Sequence, residues 1–262
     1  QAGIERFGDA NLASADARVF MCLRDGLQAL GIADPAATIG DLSIVLAVLD
    51  AIEMPSHRRM ALKRHLWRPS RFQDLIRRAC EQGESSAQRR EALATTGSAR
   101  EDLVLRAGEA VGVRTLADVS ARLDDLAVRK AEPPMATRDA ELLTDIFKVK
   151  GPAVSAVNRL RDLTERAAVD VGAALTQFEQ RLSFLLEQGC PPESLHFDAG
   201  FGRNLEYYDG FVFEMRSAED GVHPPLAGGG RYNAMTARMR APSPIPAIGG
   251  IVRPEAVLEV MS

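Results

Sequence analysis

Residues 205–215 read LEYYDGFVFEM, and residues 226–233 read LAGGGRYN. The first stretch alternates: Tyr208, Gly210, Val212 and Glu214 fall on one side of an extended chain, and Tyr207, Asp209, Phe211, Phe213 and Met215 on the other. Period-two alternation with aromatic and branched residues predicts a strand packed on one face. If the tyrosine pair is extended, its rings point to opposite faces, and Tyr208 is the one expected over a pocket. Three glycines at 228–230 permit a tight bend or the close approach of a ligand to the main chain. Their spacing is neither GxGxxG nor GxxxxGK[ST], so neither phosphate-cradling loop is indicated. The charged fork of Arg231 and the phenol of Tyr232 directly afterwards favour a ligand over a merely structural bend.

Working outward, LHFDAGF (195–201) alternates in the same way and is expected to run through a turn at RNLE (203–206) into the aromatic strand as a hairpin. Arg203, at the end of the first strand, is placed to clamp a carboxylate or phosphate, or to pair with Glu206 or Glu214. PIPAIGGIV (244–252) is a last strand, and RPEAVLEVM (253–261) a helix with Pro254 in its first turn. The chain opens with another alternating stretch, QAGIE, in which Gly3 leaves a hollow between Gln1 and Glu5 suited to an amino group or an imidazole N–H. A helix capped by Ser14 or Asp16 runs to Gly31, ATIGDL (37–42) is a short strand, and LSIVLAVLDAI (42–52) a buried helix. From Leu160 apolar residues recur every three or four positions as far as Gly189, predicting one long helix.

The segment between is different in texture. It is rich in Arg, Ala, Leu and Glu and reads as an all-helical insertion over 56–150, dividing a first core part, 1–55, from a second, 151–262. Within it, residues 57–78 carry eight Arg or Lys against one Asp, and apolar spacing at Phe72, Leu75 and Ile76 predicts amphipathic helices with a basic solvent face. Strands with helices packed on them predict an α+β fold built on an antiparallel sheet.

At 262 residues and 46% hydrophobic content, the chain is long enough for a substantial core, and a formal net charge of −4 argues against general nucleic-acid binding. The three cysteines, Cys22, Cys80 and Cys190, form no CxxC pair, which favours a reducing cytoplasm over a disulfide framework. Scattered histidines and the absence of HExxH and GxSxG exclude the familiar metal-hydrolase and serine-nucleophile patterns, and no metal or cofactor is expected. No membrane-spanning run and no signal-peptide pattern is present.

These motifs together resemble a known family. QAGIERFG is similar to the end of motif 2 in class II aminoacyl-tRNA synthetases, FGRNLEYYDGFVFE to the histidine signature of histidyl-tRNA synthetases, LAGGGRYN to their Gly-rich second signature, and AIGGIVRPE to motif 3. The order is the family's order and brackets nearly the whole chain. Two departures matter. The synthetase signature carries Gly and Asp around Leu205, where this chain has Asn204 and Glu206, and the chain ends directly after the motif 3 helix, with no room for an anticodon-binding domain. The second departure, with the wording FDAGFGR…EYYDGFVFE and RPEA, more closely resembles the regulatory subunits of ATP phosphoribosyltransferase, non-catalytic paralogues of the synthetase that act with a short-form catalytic subunit at the first step of histidine biosynthesis.

The resemblance implies a class II synthetase-like sheet flanked by helices, with motif 1 and the first strand of motif 2 missing from the N-terminal part of the core. It implies a histidine pocket made by Gln1, Glu5, Arg203, Tyr207, Tyr208, Gly229, Gly230, Arg231 and Tyr232, and a vestigial nucleotide side at Arg253. In that pocket Glu5 and Tyr208 address the imidazole, Gln1 the α-amino group and Arg203 the carboxylate. It further implies the short catalytic subunit as partner, histidine as effector, a homodimer within a hetero-oligomer, and no tRNA. A truncated or divergent histidyl-tRNA synthetase that activates histidine with ATP is the alternative, and a scaffold with a vestigial pocket a third reading.

Overall fold

The computed structural model describes residues 2–81, 94–95, 97–106, 115–201, 207–217, 224–239 and 245–261. One sheet of seven strands organises most of them: β1 (Ala2–Phe7), β2 (Ala36–Asp41), β3 (Lys150–Pro152), β4 (Leu195–Asp198), β5 (Phe211–Arg216), β6 (Ala227–Arg231) and β7 (Ala247–Val252). Their spatial order is β1-β7-β6-β5-β2-β4-β3. All neighbours are antiparallel except β2 and β4, which run parallel. The sheet is therefore the expected antiparallel one with a single parallel pair, which makes it mixed. The hairpin expected between 195–201 and 207–215 does not form either, because β2 lies between β4 and β5 and pairs with both.

The helices are α1 (Leu12–Ala29), α2 (Leu42–Ala51), α3 (Ser56–Arg64), α4 (Pro69–Cys80), α5 (Gly97–Arg106), α6 (Leu116–Ala131), α7 (Thr137–Phe147), α8 (Ala153–Arg166), α9 (Gly172–Glu187), α10 (Asn233–Arg238) and α11 (Pro254–Met261). Two compact units are formed: Gln1–Ile76 with Thr137–Ser262, which holds the sheet, and Arg77–Ala136. In the second unit, α6 starts with a capping box in which Thr115 and Asp118 each bond the other's backbone N–H.

In the sheet unit, one face of β5 presents Phe211, Phe213 and Met215 to the helices, as alternation predicts, and all three are fully buried. Phe20 of α1 packs 5.1 Å from Phe213 and 6.3 Å from Phe211, and Phe178 of α9 lies 5.0 Å from Phe197 of β4. Each such ring contributes about 1.5–3 kcal/mol through removal from water. α1 is capped one turn earlier than expected, by Asn11, whose side chain accepts from the Ser14 N–H at 3.0 Å. It stops before Gly31, which has a left-handed φ of 95°.

The single long helix expected from Leu160 is two helices. α8 ends at Arg166, Ala168 turns into the left-handed region at φ 54°, and the Asp170 carboxylate accepts the Gly172 N–H at 2.9 Å where α9 begins. In the basic stretch, Phe72 stacks on Phe147 at 4.5 Å while Arg68 lies over the Trp67 ring at 3.9 Å and Lys63 pairs with Asp50, the amphipathic arrangement predicted. Among the described residues, no helix is long and apolar enough to cross a membrane, and no group of three His, Cys, Asp or Glu could hold a metal ion.

Candidate functional site

The glycine run lies in β6, and strand alternation divides its work between the two faces of the sheet. Gly229 faces the helices: a methyl there would collide with the Gly249 carbonyl, and would stand 2.8 Å from Gly250 Cα and 2.8 Å from the Phe213 ring. Gly229 therefore lets the backbone and core aromatics meet closely. Gly230 faces the other way, with Val212 and Gly249 as its cross-strand partners, and Gly249 pairs in turn with Glu5. A methyl on Gly230 would come within 2.7 Å of the Tyr208 ring, and one on Gly249 would overlap the Glu5 carboxylate. Tyr208 and Glu5 thus rest directly on a floor of bare backbone.

Around that floor the tyrosines gather. β5 begins at Phe211, so Tyr207 and Tyr208 precede the strand and do not alternate across it. Their rings pack together, 4.5 Å apart at 52°, with the hydroxyls 3.4 Å from each other. The expectation of one ring per face is corrected: both stand on the pocket side. Tyr207 meets Tyr232 edge-on at 5.9 Å and 89°. The Tyr232 hydroxyl donates to Glu5. Burial, then the bond and charge of Glu5, push the Tyr232 phenol well above its ordinary value, so it stays a donor. Phe7, two residues beyond Glu5 on the same face of β1, flanks Tyr232 at 6.2 Å and 80°. Phe7 was legible from the alternation of QAGIERF but is not among the residues the motifs single out.

Asp209 joins this loop to the end of β6 by accepting the Asn233 and Ala234 N–H groups at 3.0 and 2.5 Å. Burial raises the Asp209 carboxyl, opposed by those two backbone bonds. Gly210 makes room for the side chain of Arg231, which a methyl there would meet at 3.1 Å; it does not open space for a ligand over the strand.

Arg231 points to the helical side of the sheet. Its Nε and Nη2 donate to Asp16 Oδ1 at 2.9 and 2.5 Å, and its Nη1 to Asn233 Oδ1 at 3.0 Å. The other oxygen of Asp16 accepts from Arg181 Nε of α9 at 2.9 Å, and Arg181 reaches Asp41 at 2.6 Å. All four side chains are at most 3% exposed. Burial pushes the Asp16 carboxyl up against the pull of Arg181 and Arg231, whereas Arg181, despite burial, is held above its ordinary value by Asp41 and Asp16. Two arginines and two aspartates balance, as a buried charge cluster must. Asp16 is thus a bridge between β6, α1 and α9, where the sequence reading placed a helix cap. Arg181 and Asp41 carried no sequence signal, since their pairing spans 140 residues.

Of the remaining candidates, Arg253 donates to the Pro225 carbonyl at 2.9 Å. Gln1 and Arg203 lie outside the described residues. The geometry brings Glu5, Tyr207, Tyr208, Gly230 and Tyr232 together and sets Gly229 and Arg231 on the opposite face. A separate open cleft of about 650 Å³, between the first turns of α1 and α9, is lined by Asn11, Leu12, Thr176, Gln177 and Gln180 and by alanines, with no charged group.

Comparison with known proteins gives this arrangement a context. A profile of the family described as histidyl-tRNA synthetase matches residues 1–154 and 123–257. An ATP phosphoribosyltransferase regulatory subunit of Mesorhizobium japonicum is 33% identical over 270 residues, covering 95% of this chain and 69% of that protein. One of a Chelativorans species is 29% identical over 261 residues, with the same coverage. Among solved structures, an ATP phosphoribosyltransferase regulatory subunit/histidyl-tRNA synthetase from Bacillus halodurans superposes with a TM-score of 0.63 at 21% identity, covering 99% of this chain and 52% of that one. A histidyl-tRNA synthetase from a Nostoc species gives 0.59 at 13%, covering 99% and 49%. At such identities the structures speak for the fold: a class II synthetase-like mixed sheet flanked by helices.

Proposed function

The chain belongs to the family of ATP phosphoribosyltransferase regulatory subunits and itself matches the histidyl-tRNA synthetase family profile, and from that premise we propose that it is a non-catalytic subunit sensing histidine. It acts with a short-form catalytic subunit at the first step of histidine biosynthesis, in the cytoplasm, as a homodimer within a hetero-oligomer. The observation that carries this reading is the Glu5 carboxylate set among Tyr207, Tyr208 and Tyr232 on the bare backbone of Gly230 and Gly249. Such a site is shaped for a small ring bearing an N–H donor.

Glu5 and Tyr208 receive the imidazole, with Tyr232 fixing the orientation of Glu5. By resemblance, Gln1, which opens the first motif, and Arg203, in the histidine signature, are the residues for the α-amino and carboxylate groups. Arg253 is the remnant of a nucleotide side, its guanidinium engaged by the Pro225 carbonyl. Feedback is then a coupling free energy: histidine shifts the assembly only by as much as it binds the inhibited state better than the active one.

Co-purification with a short-form catalytic subunit, followed by a phosphoribosyl-transfer assay, tests the proposal. The expected result is a stable complex and transfer activity that depends on this protein. Histidine-dependent pyrophosphate exchange by this protein alone would replace the proposal with the synthetase reading.

A further inference from the structure

The charge around Glu5 defines the ligand more narrowly. Four aromatic rings, those of Phe7, Tyr207, Tyr208 and Tyr232, stand on the same side of the sheet as this carboxylate, linked ring to ring from Phe7 through Tyr232 and Tyr207 to Tyr208. Among the described residues, no cation reaches Glu5. Arg6, its neighbour in β1, alternates to the other face and pairs with Asp9, and Arg231 is taken by Asp16 across the sheet. The hydrogen-bond partner of Glu5 is a phenol, which orients the carboxylate without neutralising it. Aromatic faces add negative potential of their own.

From this geometry we infer that the site takes its ligand as a cation, binding the imidazolium form of histidine in preference to the neutral imidazole. The inference rests on the histidine reading above and adds the protonation state. A neutral ring would give Glu5 one ordinary hydrogen bond. An imidazolium gives a charge-assisted bond, roughly twice as strong, together with attraction to the surrounding ring faces. Among the described residues, the titratable groups facing Glu5 are Tyr232 at the end of β6 and Tyr207 and Tyr208 before β5. The imidazole of histidine ordinarily titrates near 6.5, so its charge changes between about pH 5.5 and 7.5.

Calorimetric titration of the protein with histidine at about pH 5.5 and 7.5, and with 1,2,4-triazole-3-alanine, whose ring is a weaker base, tests this. The imidazolium fraction falls about tenfold over that interval, so the dissociation constant for histidine should rise about tenfold. The triazole analogue should bind at least about tenfold more weakly than histidine at the lower pH, and Glu5→Gln should bind histidine weakly with no pH slope. A constant that is flat with pH, an analogue that binds as well as histidine, or a slope that survives in Glu5→Gln would overturn the cation inference and leave a histidine site standing. No binding at any pH by protein with an intact circular dichroism spectrum would remove the histidine reading itself, and this inference with it.

Discussion

Gly230 and Gly249 decide how near a ligand ring can come to the sheet, because Tyr208 and Glu5 already occupy the space their side chains would take. Gly230→Ala should push the Tyr208 ring aside and weaken histidine binding by at least about tenfold, with some loss of stability as well, because the methyl would also stand 2.9 Å from the buried Val212 side chain. Gly229→Ala offers the contrast. Its methyl meets backbone and the buried Phe213 ring, so urea denaturation should show a loss of about 1–3 kcal/mol. Tyr232 supplies a pH effect. Its folded phenol is held above the ordinary value by burial and by Glu5, whereas an unfolded tyrosine ionises near pH 10. The stability it contributes is therefore intact below about pH 10 and lost as pH rises beyond it; Tyr232→Phe should show a shallower loss across pH 10–11.5 in thermal melts. At this scale the motifs pointed to Gly230 and Tyr232, but strand alternation carries their chain neighbours Gly229 and Arg231 to the opposite face of the sheet. The sequence was silent on Arg181 and Asp41 and assigned Asp16 to a cap, because an ion pair between α1 and α9 has no local signature.

Secondary-structure elements were legible to the extent that periodicity alone defines them. The faces of β5 and the amphipathic stripe of α4 follow directly from alternation and three-four spacing. Pairing does not: alternation states which side of a strand is buried, not which strand lies beside it, so the insertion of β2 between β4 and β5 was hidden. The break between α8 and α9 was hidden for a related reason. Apolar spacing continues across Ala168 because both helices bury a face, and alanine gives no stop signal. Its left-handed φ is costly for a residue with a Cβ, so Ala168→Gly should stabilise the protein by about 1 kcal/mol in chemical denaturation. The Arg231–Asp16–Arg181–Asp41 cluster holds β6, α1, α9 and β2 in place. Asp16→Asn strips one carboxylate from two buried arginines and should cost about 3–5 kcal/mol, far more than an exposed pair such as Arg122–Asp125.

For the molecule as a whole, we propose the glycine floor of the sheet and the carboxylate among tyrosines as the place that holds histidine. The central claim is that this pocket is where histidine is sensed. The direct measurement is histidine inhibition of the reconstituted complex with the catalytic subunit, comparing the native protein with Glu5→Gln. Both should support phosphoribosyl transfer in the absence of histidine; the native complex should be inhibited, and the Glu5→Gln complex should need at least about tenfold more histidine for the same inhibition. Equal sensitivity of the two complexes would contradict the claim and place the sensor elsewhere.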